Sequence, residues 1–448
     1  MKNSISTFYV LDTQEALDAS SHVFKIQLEY IIDTLKENSR VKPVLENNPC
    51  FNTMFDKKIN DNPRIRFWMT CTKELIKSLN SDIDPSPESI SYLFVDSLHP
   101  DRVIELHLIE LLSIWIDFKI HNNSPFDLSF NIMMPEILKL GALGTINISD
   151  NSKENLDWNI SFNGNDTLEL STGDSCAIKV ETQLRHSSKK DNVREFSIVI
   201  DHDKGVFEMP VYDNALCEPY YANGAIIRSK SVCEKWCHEV LIPAMNILDE
   251  IDEVLVSESL SLVTIILPLH SGSIGFGSAS SEDILGLIYL PGVNTKYDVA
   301  ECFLHESLHQ KLFRIESAVD LFEDHSPMEE EYYSPWRIDP RPLRMLLHGA
   351  FVFTAIAEMW AMFANNPNYD HSNGDPAFLT LLRAQQSIKA IDIIRKYGNL
   401  NQLGKNLSNS IYDNAFSAIE KISPSKGVSQ DVATQLKDHN EKYITFLQ

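Results

Sequence analysis

The sequence predicts an α+β fold, mainly helical, with a small antiparallel β region inserted between helical parts. Three observations predict it. Apolar residues recur at helical spacing up to about residue 124, they do so again beyond residue 216, and the stretch between breaks into short β-type runs among Asn, Asp, Ser and Gly. The expected division is a helical region over 1–124, a β-rich region over 125–215, and a metal-binding catalytic region with C-terminal helices over 216–448.

The first helix is expected over Gln14 to Asn38, where Ala16, Ala19, Val23, Ile26, Leu28, Ile31, Ile32 and Leu35 keep one face apolar. Asn62 to Leu79 and His107 to Phe118 repeat the theme, with Pro85 and Pro87 marking a loop between them. From residue 125 strands are expected at Thr145–Ile148, Trp158–Phe162, Thr167–Leu170, Ala177–Val180 and Phe196–Ile200, a spacing that suits an antiparallel sheet. A helix is expected from Val232 to Ile251, followed by strands at Ser261–Leu267, closed by Pro268, and Gly286–Leu290. The glycine- and serine-rich run His270–Ser278 between these strands lacks the GK[ST] of a phosphate loop, so it is either a connector or a rim over a site. Helices complete the chain at Arg341–Phe363, just after the Pro340-Arg341-Pro342 break, and at Ala377–Tyr397, Asn409–Ile422 and Gln430–Phe446.

A chain of 448 residues with 43% apolar and 23% charged residues has the composition of an ordinary globular protein and the length for two or three cores. Its formal net charge of -24 argues against nucleic acid and anionic membrane surfaces as partners and is compatible with a small ligand or a basic peptide. Met1 to Thr7 opens no apolar segment of a signal peptide, and the apolar stretch around Leu260 to Leu269 is too short to cross a bilayer. The seven cysteines are odd in number and scattered; Cys233, Cys237 and His238 have the wrong spacing for a zinc knuckle and read as part of a helix. A reduced, cytoplasmic protein is expected.

His305-Glu306-Ser307-Leu308-His309 carries the chemistry. Residues four apart share a helix face, so two imidazoles at this spacing can grip one metal ion, and Glu306 is the candidate catalytic carboxylate on its open side. Phe303, Leu304, Leu308, Leu312 and Phe313 surround the motif, so the helix is expected to be buried and its histidines to have partners. The core expected around such a motif is zincin-like.

A metal needs a third protein ligand. The HExxHxxGxxH continuation fails, because Leu312 and Ile315 stand where Gly and His are required. Two candidates remain on the later helix, His348 and Glu358. At about 100° per residue they cannot serve the same ion, being ten residues and roughly 15 Å apart along the axis. Arg341, Arg344 and His348 fall at spacings of three and four, one expected stripe. Arginines beside a cation need an anion between them, which points to an anionic co-substrate on the metal.

The run Ser334-Pro335-Trp336-Arg337-Ile338-Asp339-Pro340-Arg341-Pro342-Leu343, with Leu346-Leu347-His348-Gly349-Ala350 and the HExxH motif, resembles the HExxH domain associated with ribosomal peptide modification. Its members look like iron- and 2-oxoglutarate-dependent peptide β-hydroxylases. The resemblance covers roughly residues 260–365 and is strongest over 303–360. It implies that His305, His309 and His348 hold Fe(II), and that an arginine of the segment, Arg341 with Arg337 and Arg344 behind it, clamps 2-oxoglutarate while O2 takes an open position. The implied reaction hydroxylates the β-carbon of a residue in a precursor peptide and converts the 2-oxo acid to succinate and carbon dioxide. Glu306 then orients a ligand or the bound oxygen species rather than activating water. The competing expectation is a zinc metallopeptidase with His305, His309 and Glu358 as ligands and Glu306 as general base; the third is a non-catalytic peptide-binding module with a structural metal. Gly286–Leu290 is either an edge strand that pairs with an extended peptide or an inner strand.

Overall fold

The computed structural model describes residues 13–55, 63–80, 100–122, the strand segments between 124 and 210, and then 235–269, 277–292, 295–323, 329–367 and 374–446, with 232 and 369–370. Helical spacing in the first part becomes five helices: α1 (Thr13–Glu37), α2 (Lys42–Asn47), α3 (Cys50–Phe55), α4 (Pro63–Asn80) and α5 (Pro100–His121). In α1 the buried side chains Ala16, Phe24, Leu28, Ile31, Ile32 and Leu35 form one stripe, as a 3.6-residue period requires. The loop expected at Pro85 and Pro87, and the first residues Met1 to Thr7, lie outside the described residues.

The β-rich region contains β1 (Phe126–Ile132), β2 (Ile137–Lys139), β3 (Thr145–Asn147), β4 (Leu156–Phe162), β5 (Thr167–Thr172), β6 (Cys176–Glu181), β7 (Val193–Arg194), β8 (Ser197–His202) and β9 (Gly205–Pro210). All pairings among them are antiparallel: a sheet of order β1-β4-β5-β6, a hairpin β2-β3, and a sheet of order β7-β8-β9. Alternation decides the facing: Trp158, Ile160 and Phe162 of β4 are buried with Leu168 and Leu170 of β5.

After a turn of π-helix at Cys237–Leu241 come α6 (Ile242–Ile251) and α7 (Glu253–Leu262). The strand expected from Ser261 therefore begins later, at β10 (Ile265–Leu269). The cause is local: Asp252 accepts from the backbone of Val254 and Leu255, an N-cap that starts α7, and that helix runs on through Ser261 and Leu262, the first residues of the expected strand. Cys237 is buried and His238 exposed on the turn, so the two form no metal clip; Cys233 lies outside the described residues.

The short β11 (Ala279–Ser280) leads through a 3-10 turn, Glu282–Ile284, to β12 (Leu287–Pro291). Sheet order is β10-β12-β11, with β10 parallel and β11 antiparallel to β12. Thus β12 is the inner strand, the second of the two readings open for Gly286–Leu290, and β11 lies at an edge. The near-continuous apolar sequence of β10 and β12 follows from burial on both faces. Ile265, Leu267, Leu269, Leu287 and Tyr289 join the core of the N-terminal helices and of β1, β2, β4 and β5, while Ile266, Ile288 and Leu290 join the second core.

That second core is built by α6, α7, α8 (Lys296–Glu316), α9 (Leu343–Ala364), α10 (Pro376–Tyr397) and α11 (Gln402–Glu420), with Tyr332 of the hairpin of β13 (Glu331–Tyr332) and β14 (Arg341–Pro342) packed against it, while α12 (Lys426–Phe446) puts Val432 into a separate cluster with Ala361, Leu381 and Leu382. Helix α9 is 22 residues long with a mean hydropathy of 1.5 over its best window, enough by length and composition to cross a bilayer, which corrects the expectation that no stretch is long enough. Its apolarity is that of a core helix: 83% of that window is buried in protein. The fold is mainly helical α+β.

Candidate functional site

Helix α8 presents the motif. Thr295 and Asp298 form a capping box at its start, each accepting from the other's backbone N–H. Most of its circumference is buried, and its buried polar side chains reach partners on neighbouring elements. Gln310 accepts from the Gly286 N–H at 2.7 Å and donates to the Leu287 carbonyl at 3.3 Å, which fixes the helix to the head of β12. Lys311 pairs with Glu258, and Arg314 donates to the Leu262 carbonyl.

His305 and His309 are half-buried on the cavity side of α8, and their Nε2 atoms are 3.1 Å apart. His348, from the second turn of α9, is fully buried, and its Nδ1 lies 3.1 Å from Nδ1 of His309. The spacing arguments thus bring three imidazoles from two helices into one cluster. They form a row rather than a ring around one point, because His309 turns opposite ring nitrogens to its two neighbours. Among the described residues no three His, Cys, Asp or Glu side chains surround a common ion position. The ring contacts run as a chain, from His305 Nε2 to His309 Nε2, from His309 Nδ1 to His348 Nδ1, and from His348 Nε2 to Glu316 at 2.9 Å. Burial drives the His305 pKa down to about 3, with the charge of Arg383 adding to it. Burial, then the neighbouring imidazoles, hold His309 well below the usual histidine range. Both are neutral at pH 7, the form a metal requires.

The donor set fits a transition metal. Nitrogen pairs at 3.1 Å match the separation of adjacent ligands on one ion with metal–nitrogen bonds of about 2.1 Å. His348 also has the carboxylate partner at its other nitrogen that metal-bound histidines carry, in Glu316. Seating all three on one ion needs a side-chain rotation at His309 or His348.

Glu306 is buried and points away from the histidine row toward β11. Its two oxygens accept separately from Ser278, at 2.8 Å, and from Ser280. Burial pushes its pKa up to about 7, and the two hydroxyls act against that rise without cancelling it. Ser278 ends the Gly/Ser run His270–Ser278, so this end of it does line the site, with Ser280 of β11 just beyond it, while 270–276 lie outside the described residues.

The cluster opens into a cavity of about 500 Å³. The other walls come from Trp336, Met345, Gly349 and Phe353, from Glu301 and Cys302, and from Arg337, Arg341 and Arg383. Trp336 stacks on Phe353 with ring centroids 5.1 Å apart, and Gly349 lets the indole lie flat on α9. The three arginines of the sequence argument fare differently. Arg337 and Arg341 reach the cavity, both tied to Asp339. Arg344 does not line it; its guanidinium bridges Glu282 and Glu316 behind His348. Nor does Arg341 share a helix stripe with His348, because α9 begins at Leu343 and Arg341 is in β14. The physical reason is Pro342, which excludes helical backbone at the residue before it.

Glu358, the alternative ligand, is fully buried on a distant turn of α9 and pairs with Lys421 at 3.4 Å. It is absent from the cavity wall. Sequence reasoning missed Glu316 and Arg383. Glu316 was findable, seven residues past His309 and so on its stripe; Arg383 arrives from α10 by tertiary packing alone.

No protein-family model and no curated protein matches this chain.

Proposed function

We propose that the protein is an Fe(II)- and 2-oxoglutarate-dependent dioxygenase that β-hydroxylates a residue of a ribosomally made peptide. The observation that carries this reading is the convergence of His305, His309 and His348 at the end of a cavity that also holds arginines. Three imidazole ligands would leave positions open on an iron ion, and cationic walls suit an anionic co-substrate. When bound, the iron with 2-oxoglutarate and O2 supplies the oxidation, one oxygen atom going to the peptide β-carbon and the other to succinate as carbon dioxide leaves. The chain's own residues bind and orient. Glu316 holds His348 in the tautomer whose Nδ1 is free to ligate. Trp336 and Phe353 exclude water from one side of the cavity. Glu306, held by two serines, orients a neighbouring group rather than activating water.

Helix α8 beneath a sheet whose antiparallel edge is β11 is the arrangement expected of a zincin-like core. That edge, beside Glu306, suits an extended peptide as an added strand. Glu358 weighs against the zinc peptidase alternative, because its carboxylate is committed to Lys421 and lies off the cavity.

The test is to load the full-length protein with Fe(II) anaerobically, then add 2-oxoglutarate, air and a candidate precursor peptide. Succinate release coupled to a mass gain of one oxygen atom on the peptide is the expected outcome; peptide-bond cleavage with zinc would overturn it. His348→Ala is expected to lose stoichiometric metal and turnover, and Glu358→Ala to keep the metal. The reverse pattern would transfer the assignment to the peptidase.

A further inference from the structure

The cavity has three arginines on its wall, and they are not equivalent. Arg337 Nε donates to both oxygens of Asp339, at 2.8 and 3.1 Å, and Arg341 Nη2 meets the same carboxylate at 3.0 Å. Their charge is already answered by a short-range anion. Arg383 is held otherwise. Its guanidinium lies over the Phe353 ring, 4.6 Å from the centroid, and that ring in turn packs 5.1 Å from His305. Its hydrogen bonds are long, 3.3 Å from Nη2 to Glu301 and 3.4 Å from Nη1 to Gln386. Its Nε is buried with no acceptor, as is that of Arg341, so the difference between the two lies in their anionic partners. A guanidinium stacked by its face keeps its in-plane N–H donors available at the edge, the geometry that receives a carboxylate in bidentate fashion. Glu301 is the exchangeable occupant: its other oxygen is fixed by Trp360 Nε1 at 2.8 Å, so it stays in place when Arg383 turns to a better partner.

We infer that Arg383, rather than an arginine of the 337–344 segment, receives the distal carboxylate of the 2-oxo acid by exchanging its weak contact with Glu301 for that anion. The inference rests on the proposed function and adds to it the residue that selects a dicarboxylate over a monocarboxylate.

The test measures binding, not turnover. Full-length protein loaded with Mn(II) is titrated calorimetrically with 2-oxoglutarate and with 2-oxobutyrate, which has the same chelating end and no distal carboxylate. In Arg383→Gln, 2-oxoglutarate is expected to bind about 10- to 100-fold more weakly, the worth of a charged hydrogen-bonded contact, while 2-oxobutyrate is unchanged, so the preference between the two acids collapses. Arg341→Gln is expected to keep that preference within about threefold, as befits a group already paired with a carboxylate. Glu301→Gln keeps an acceptor for Trp360 and removes the competing charge, so it is expected to tighten 2-oxoglutarate binding. If Arg383→Gln does not fold, Glu301→Gln decides: tightening supports the exchange, and weakening overturns it. An unchanged preference in Arg383→Gln, or a collapse in Arg341→Gln instead, also overturns it and leaves the proposed function standing. Wild-type protein that binds neither acid removes the proposed function, and this assignment with it.

Discussion

Gly349→Ala tests the packing that shapes the cavity, and two opposing effects give it a definite sign. Gly349 lies one residue past His348 on α9, with helical backbone, so alanine there gains about 1 kcal/mol of helix propensity. The added Cβ, however, would lie 2.7 Å from Cζ3, 3.0 Å from Cε3 and 3.1 Å from Cη2 of Trp336. Comfortable carbon contacts lie at about 3.5–4.0 Å, so the indole must move by roughly 1 Å. It is a rigid ring stacked on Phe353, and it cannot give way as a flexible side chain would. Overpacking of this kind costs about 1–3 kcal/mol, which outweighs the propensity gain and leaves a net loss of about 1 kcal/mol. The assay is reversible urea denaturation of four proteins: wild type, Gly349→Ala, Trp336→Ala and the double variant. With the indole gone the clash is gone, and Gly349→Ala should then stabilise by about 1 kcal/mol. A change of the same sign in both backgrounds would refute the reasoning.

The remaining predictions concern other parts of the frame. Gly286→Ala should destabilise by about 2 kcal/mol or more in thermal melts, because φ is +94° and a Cβ would stand 2.7 Å from Thr264 Oγ1; a neutral result would mean that the backbone there is not strained. His107, in the N-terminal core, stacks on Trp68 and is held by burial down to about pKa 3. The unfolded chain takes up this proton first, so stability is full above about pH 6.5 and falls by up to about 1.4 kcal/mol per pH unit from there toward pH 3. His107→Phe should flatten that slope in urea melts at stepped pH, and an unchanged slope would remove His107 as its source. Arg344→Met should weaken metal binding about 10- to 100-fold in competition with a chelator, while the preference for 2-oxoglutarate over 2-oxobutyrate persists; loss of that preference would restore Arg344 as a clamp.

Much of this was legible in the chain. The helical periods of α1, α4 and α10 gave their limits within a few residues, because amphipathic packing imposes its period on the sequence. The pairing of His305 with His309 followed from a spacing of four, and the exclusion of Glu358 beside His348 from a spacing of ten. Local errors had readable causes: Pro342 forbade the helical Arg341 that the stripe argument assumed, and Asp252 announced the helix that precedes β10. What was not legible depends on tertiary approach. Nothing in the surroundings of Arg383 distinguishes it from a solvated helix residue until α10 packs on α9. The edge strand β11, two residues long, is too short to show a period.

The commitment of Arg344 explains why the helical N-terminal region belongs with the site although it contributes no ligand. Helix α4 packs on the turn that carries Glu282, and α1, α4, Glu282, Glu316 and Arg344 share the walls of one small polar cavity of about 210 Å³. Glu282 holds Arg344, Arg344 holds Glu316, and Glu316 holds the imidazole of His348. The Arg344–Glu316 and Glu316–His348 links are shielded from solvent and so stronger than the same contacts in water, while the Glu282–Arg344 pair at the outer end is half exposed. His348 has no neighbour four residues away to share a metal with, unlike the two histidines of α8, whose mutual position their own helix sets. The orientation of the third imidazole has to be imposed from outside α9. The buried β10–β12 wall and the N-terminal helices behind it supply the rigid backing against which that chain of charges is fixed.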